Sequence, residues 1–236
     1  MSRKNGPSII TNGLVLYLDA ANKQSYVSGS TSWIDVSNNN NNSTLTNGPT
    51  FNSLNGGSIV FDGTNDYVNQ TLNTGSFTTE ATLIMFLKLN NATPSNAFET
   101  GIERLSANVS KQASHYPWTD GVAYFGAFQA NLRIDGITLS STIDRTKWHM
   151  ITITSSPGTN NWKFYQNTEL RHSANGPSTV SFSTDGVYNL GRSQTILDGN
   201  FWYINGNIAN VMLYNRALTL QEITQNYNTT KVRFGL

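Results

Sequence analysis

Cysteine is absent from the 236 residues. That excludes a disulfide framework, thiolate metal sites and a cysteine nucleophile. Charge is also scarce: Asp, Glu, Lys and Arg make up 12% of the chain, about half the usual share. Asn, Ser, Thr and Gly must therefore carry the polar surface. A net charge of +1 gives no bulk field for nucleic acid or an anionic membrane surface. No apolar run reaches the ~18 residues that a membrane-spanning helix needs, so membrane insertion is not expected. The start, MSRKNGPSIITNG, carries two basic residues but no hydrophobic segment, so no secretory signal is expected and synthesis is expected in the cytoplasm. No internal repeat of the kind that builds propellers or solenoids is visible.

What is present is apolar and periodic. Hydrophobic residues make up 37% and aromatics 11%, which argues against disorder, and the length suffices for one domain with a sizeable core. The organising stretch is YINGNIANVMLYNRALTLQEITQNYN, residues 203–228. Asn205-Gly206 reads as a turn. Ile208 to Tyr214, broken only by Asn210, reads as a strand buried on both faces. Thr219 and Glu222 have capping-box spacing, and Leu220, Ile223 and Tyr227 make one apolar helical stripe. A strong helix signal appears nowhere else. The expected partner of the strand is at the other end, Gly13 to Asp19, also apolar throughout.

Between these ends the chain reads as short strands with turn signals about every 8–12 residues, the signature of a sandwich or barrel. Ser2 to Pro7 is polar and turn-prone, either a frayed terminus or an arm that docks on a partner. Ala20 to Asn47 reads as a long surface loop anchored by Trp33, and its run Asn38 to Asn42 favours left-handed conformations. Ser58 to Phe61, the turn Asp62-Gly63-Thr64-Asn65-Asp66, and Tyr67-Val68 spell strand, turn and strand. In Thr79 to Leu89, Ala81, Leu83, Met85, Leu87 and Leu89 share one face and Thr82, Ile84, Phe86 and Lys88 the other. Residues 90–120 are polar and irregular. Short strands follow at Gly121 to Gln129, Asn131 to Ile134 and Ile137 to Ser140, the last two joined by a hairpin signal at Asp135-Gly136. Trp148 to Thr154, Trp162 to Gln166 and Gly186 to Leu190 are further strands, and Asn167-Thr168 reads as a hairpin tip.

GLVLYLDAANKQSY, the Trp33, Asp35 and Ser37 loop, NGPTF, GGSIVFDGTNDYV, DRTKWHMITIT, YNLGR and the final INGNIANVMLYNRALTLQEITQNYN together resemble the laminin-G-like, concanavalin A-like lectin/glucanase jelly-roll family over residues 13 to 228. The resemblance implies an all-β fold, a two-sheet antiparallel jelly-roll sandwich with one short C-terminal helix. It divides the chain into an N-terminal arm at 1–12, the jelly roll at 13–230 and a tail at 231–236. The Asn-rich loop and the ending LTLQEITQNYNTTKVRFGL resemble virion structural proteins of tailed bacteriophages. That likeness implies a non-enzymatic virion protein made in the host cytoplasm: a capsid decoration, head fibre, tail fibre or other tail component. Its partners would be other virion proteins, further copies of itself to cover the sandwich edges, and host-surface glycans. The alternatives are a carbohydrate-binding adhesin outside a virion and, third, a glycoside hydrolase. Many family members bind carbohydrate, often with calcium.

The residues themselves weigh these readings. Glycoside hydrolysis needs two facing carboxylates, about 5–5.5 Å apart when retaining and about 6.5–9.5 Å when inverting. One branch of the fold carries them as ExDxE on one strand. Here Glu80, Glu99, Glu103, Glu169 and Glu222 each lack an acidic residue two positions away. No GxSxG, HExxH, Walker or EF-hand pattern occurs. His149 reads as a satisfied strand residue, and His115 is the histidine best placed in a loop. For carbohydrate stacking the candidates are Tyr116 with Trp118, and Trp202 with Tyr203, whereas Trp33, Trp148 and Trp162 read as packing residues. For a metal, calcium would suit the oxygens of Asp35 and Ser37, or of Asp62 and Asp66. The competing reading is that such Asx clusters only shape turns.

Overall fold

The computed structural model describes residues 8–72, 80–90, 102–105, 122–125, 134–138, 144–176, 187–194 and 201–236. The larger of two antiparallel sheets has eight strands. Across it run β13 (Glu169–Gly176), β12 (Gly158–Gln166), β11 (His149–Ser155), β7 (Ala81–Leu89), β17 (Asn205–Tyr214), β5 (Ser58–Asp62) and β4 (Thr50–Asn52), with β1 (Leu14–Asp19) also paired to β17. The second sheet has the order β2 (Ser32–Trp33), β3 (Ser43–Thr46), β6 (Tyr67–Thr71), β14 (Val187–Leu190) and β8 (Ile102–Leu105). Two short ribbons complete the strands: β9 (Val122–Phe125) with β10 (Ile134–Thr138), and β15 (Arg192–Gln194) with β16 (Phe201–Tyr203). The helix α1 spans Leu220–Lys231. This is the two-sheet antiparallel sandwich with one short C-terminal helix that the sequence predicts.

The expected union of the two ends is present, with Tyr17 opposite Met212 and Leu18 opposite Val211. β17 is also flanked by β7 and β5, so it lies inside the sheet. A β-bulge between Ile208 and Asn210 sets two residues of β17 against one of β7 and resets the alternation. Ile208, Val211 and Leu213 then share the inter-sheet core, while Ala209, Met212 and Tyr214 face outward into a second core. β7 follows the predicted alternation: Ala81, Leu83, Met85, Leu87 and Leu89 point inward, and Ile84 and Phe86 outward. The inter-sheet core is filled by large side chains from both sheets, among them Trp33, Phe61, Trp162 and Phe164.

The second core exists because α1 and both end segments cover the outer face of the large sheet. Thr219 caps the helix and Glu222 reciprocates, the predicted capping box. Ile223 is fully buried in the same core cluster as Ile84, Phe86 and Met212. The inward stripe differs from the expected one. Leu220 is 51% exposed, and Asn226 is buried in its stead. Asn226 earns its place by hydrogen bonding: its Oδ1 accepts from Ile10 N at 2.8 Å and its Nδ2 donates to Tyr214 Oη at 3.1 Å. Tyr214 Oη in turn donates to Ile10 O at 2.9 Å. Residues 8–12 of the expected arm therefore lie against the chain's own helix, and Gln225 Nε2 donates to Ser8 O at 2.8 Å. The tail does the same on the other side. Phe234 stacks on Phe86 at 4.7 Å and meets Trp148 at 4.4 Å, and Arg233 pairs with Asp19 at 2.9 Å.

Two local expectations are corrected. Asn205-Gly206 is no turn but the start of β17, with Gly206 opposite Phe61 and Leu89. A Cβ at Gly206 would run into the backbone carbonyl of Lys88, so glycine serves close strand approach there. Asp135-Gly136 lies inside β10 at a register shift against β9, a bulge rather than a hairpin. The expected strand, turn and strand at Ser58 to Val68 are present, and the turn at Asp62 to Asp66 carries the chain from one sheet to the other, since β5 pairs with β17 and β6 with β3 and β14. The left-handed Asn expectation holds: every non-glycine residue of positive φ among those described is Asn, including Asn38, Asn40 and Asn167.

Candidate functional site

The sites expected from sequence come out unequally. Tyr116 and Trp118, with His115, lie outside the described residues. Trp202 sits in β16 opposite Ser193, and its indole lies outside the described part; Tyr203 beside it is half-buried opposite Arg192.

Asp35 is 7% exposed, and its carboxylate is wrapped in donors. Oδ1 accepts from Tyr17 N and Ser37 N at 2.9 and 2.8 Å, and Oδ2 from Ser37 Oγ and Asn41 N at 2.8 and 3.0 Å. Those bonds tie the Asn-rich loop to β1. Asp62 Oδ1 accepts from Thr64 N at 2.7 Å, and Asp66 Oδ2 accepts from Asp62 N at 3.1 Å. Burial pushes the Asp66 carboxyl up. Both clusters thus shape turns, and among the described residues no three His, Cys, Asp or Glu gather as metal ligands.

The structure assembles a different site, at the end of the β11, β12 and β13 strands. A cleft of about 390 Å³ opens between the loop entering β11, with Asp144, Lys147 and Trp148, and the tip of the β12–β13 hairpin, with Asn167 and Thr168. Local chemistry fixes both walls. Asn167 takes φ 54° at the hairpin tip, and its Oδ1 accepts from Met150 N at 3.0 Å. Asp144 caps its own loop by accepting from Thr146 N at 2.9 Å and from Thr146 Oγ1. His149 lines the cleft, buried, with Nδ1 against Lys147 O at 2.9 Å. Burial pulls its ring down to about 4, so it is neutral at neutral pH.

Gln166, the last residue of β12, also lines the cleft. It is only 2% exposed, yet neither Oε1 nor Nε2 has a hydrogen-bond partner. A buried primary amide left unpaired costs about 1–3 kcal/mol. Arg171, on the facing strand, has its Nη1 on Glu169 at 2.9 Å while its buried Nε is unpartnered. Three unsatisfied polar atoms at one cleft are the arrangement of a site that supplies hydrogen bonds to a polar ligand. Sequence reading missed Gln166 because its meaning lies in strand neighbours rather than in a motif.

The carboxylates of the cleft do not form an acid/base pair. A general acid needs its carboxyl raised. The Thr146 hydrogen bonds hold Asp144 below the usual carboxylate range, and Glu169 is 65% exposed and paired with Arg171. A second cleft, of about 440 Å³, lies between Tyr26 to Thr31 and Asn47 to Phe51, and is mostly apolar. Its Tyr26 and Phe51 rings are 5.3 Å apart.

Residues 62–224 match the model of a family described as the concanavalin A-like lectin/glucanases superfamily. No curated protein matches the chain. Among solved structures, it is similar to domain 4 of AbnA, a GH43 extracellular arabinanase from Geobacillus stearothermophilus, in complex with arabinotriose. That match has a TM-score of 0.66 at 15% identity, over 91% of this chain and 98% of that one. It is also similar to the ligand-binding domain of botulinum neurotoxin serotype D in complex with N-acetylneuraminic acid, with a TM-score of 0.66, 18% identity and 96% of this chain covered. The binding domain of botulinum neurotoxin DC in complex with rat synaptotagmin II gives a TM-score of 0.67 at 14% identity over 94% of this chain. The chain spans about half the length of those two neurotoxin chains, 54% and 52%. At these identities the likeness establishes the fold.

Proposed function

We propose, for a chain that belongs to the concanavalin A-like lectin/glucanases superfamily, a non-enzymatic glycan-binding role in a virion structural protein. The observation that carries the binding role is Gln166: a buried amide with both ends unpartnered at the rim of a polar cleft. Two carboxylates line that cleft, one lowered and one ion-paired. This favours holding a sugar over cleaving one. Similar folds in an arabinanase domain with arabinotriose and a toxin domain with N-acetylneuraminic acid support the same reading.

The virion setting is supported by the Asn-rich loop and the C-terminal LTLQEITQNYN, which resemble phage structural proteins. Host-surface glycans are then the natural target, and other virion proteins and further copies of the chain the natural neighbours. The arm and tail boundaries, and stacking by Trp118 or Trp202, belong to the same proposal.

A glycan array, run beside an assay for released reducing sugar, tests it. Binding without release is the expected result. A flat array at high protein concentration would refute the binding role, and sugar release would favour a hydrolase. Density-gradient fractionation of phage lysates tests the setting: the protein should travel with particles, and a particle-free protein would point to a free adhesin.

A further inference from the structure

We propose that the cleft at the β11–β13 end takes a neutral saccharide, and that Gln166 recognises a vicinal diol of that sugar. This rests on the glycan-binding reading above and names its ligand class. A primary amide presents one acceptor and one donor side by side. In Gln166 both are without partners although the residue is buried at the cleft. Two hydroxyls on adjacent sugar carbons match that pair: one donates to Oε1 while the oxygen of its neighbour accepts from Nε2. Arg171 Nε, likewise unpartnered, offers a further donor from the same lining.

Other polar ligands fit less well. A carboxylate has only acceptors, so it would leave Oε1 unpaired. An acetamido group holds its N–H and C=O on opposite sides of a trans amide, so it cannot engage both ends of one primary amide. Charge points the same way. Asp144 and Glu169 balance Lys147 and Arg171, His149 is neutral at neutral pH, and Glu169 already holds the Arg171 guanidinium. Among the lining residues the formal charges therefore cancel, which gives an acidic sugar no advantage there. The Gln166 amide is covered at the cleft wall, so a change in its side-chain torsions accompanies binding.

The test compares the wild-type protein with the Gln166→Met variant by titration calorimetry. Each is titrated with neutral arabinan, galactan and mannan oligosaccharides and with sialylated and uronic-acid oligosaccharides, at low and high salt, alongside thermal melts. Methionine keeps the shape and removes both polar ends. Neutral sugars should bind with little salt dependence, and Gln166→Met should weaken them roughly tenfold. The melting temperature should stay level or rise, because an unpaired buried amide has gone. A merely structural Gln166 would lower the melt and leave affinity alone, which overturns the proposal. Neutral binding unaffected by Gln166→Met also overturns it, while leaving a glycan-binding protein with its site elsewhere. Binding confined to acidic sugars overturns the ligand class alone, and no binding to any sugar overturns the glycan-binding reading itself.

Discussion

Asn226 and Tyr214 are twelve residues apart and joined by a buried hydrogen bond of 3.1 Å, and each also bonds the backbone of Ile10, more than two hundred residues away. One polar triangle thus fastens the start of the chain, the central strand and the helix over the outer face of the large sheet.

Removing its corner should be costly. Asn226→Leu keeps comparable bulk but leaves Ile10 N–H without its acceptor and Tyr214 Oη without the donor it accepts from. A loss of roughly 2–3 kcal/mol is expected, read by urea denaturation. Hydrogen exchange should show residues 8–12 losing protection before the strands do. An unchanged midpoint with full protection at Ile10 would show that the triangle does not hold the segment.

Phe234 closes the opposite side of that face, between Phe86 and Trp148. Phe234→Ala should lower stability by about 2 kcal/mol, less than a fully enclosed phenylalanine because this ring is only partly buried. Trp148 would gain water contact, so part of the tryptophan emission should shift to the red in the folded protein. Emission identical to wild type would argue that other side chains close the gap.

Stability should fall in two successive pH windows that meet near 4. His149 is held at about 4 by burial, against an ordinary 6.5. The unfolded ring therefore takes its proton first, and stability present above about 6.5 is lost as pH falls toward about 4. The Arg216 guanidinium, at 2.6 and 2.9 Å, holds the Glu222 carboxyl at about 2, against an ordinary 4.5. That contribution is full above about 4.5 and lost as pH falls toward about 2. Denaturation midpoints across pH 2 to 8 should show both slopes. His149→Phe should flatten the upper and Glu222→Gln the lower.

Much of the fold was legible because its signals are local or periodic. The β7 alternation, the Thr219 and Glu222 box and the Asn turns depend on near neighbours only. Even the pairing of β1 with β17 could be expected, since two strands this rich in apolar residues need burial on both faces. Legibility stopped where a residue's meaning is set by a distant partner. Gly206 looks like half of a turn until Lys88 lies against it. Leu220 looks inward until Asn226 is seen bonding Ile10. The cleft is the extreme case. Gln166 carries no motif, and its role appears only when β11 and β13 flank it and neither satisfies its amide. Of the aromatics expected at a sugar site, none described lines that cleft; Trp148, expected as a packing residue, does both.

The place of β17 inside the large sheet also decides when that sheet can form. During synthesis β1, β5 and β7 emerge long before residues 205–214, and all three pair with that one late strand. Until it leaves the ribosome, the edges of β1, β5 and β7 that pair with β17 stay open, which is the condition under which nascent β chains misassociate. Folding must then proceed by joining segments almost two hundred residues apart in sequence, the slow regime for β topologies. A ribosome-bound chain halted before residue 205 should be held by chaperones and open to proteases, and release of residues 205–236 should convert it to the resistant form in one step.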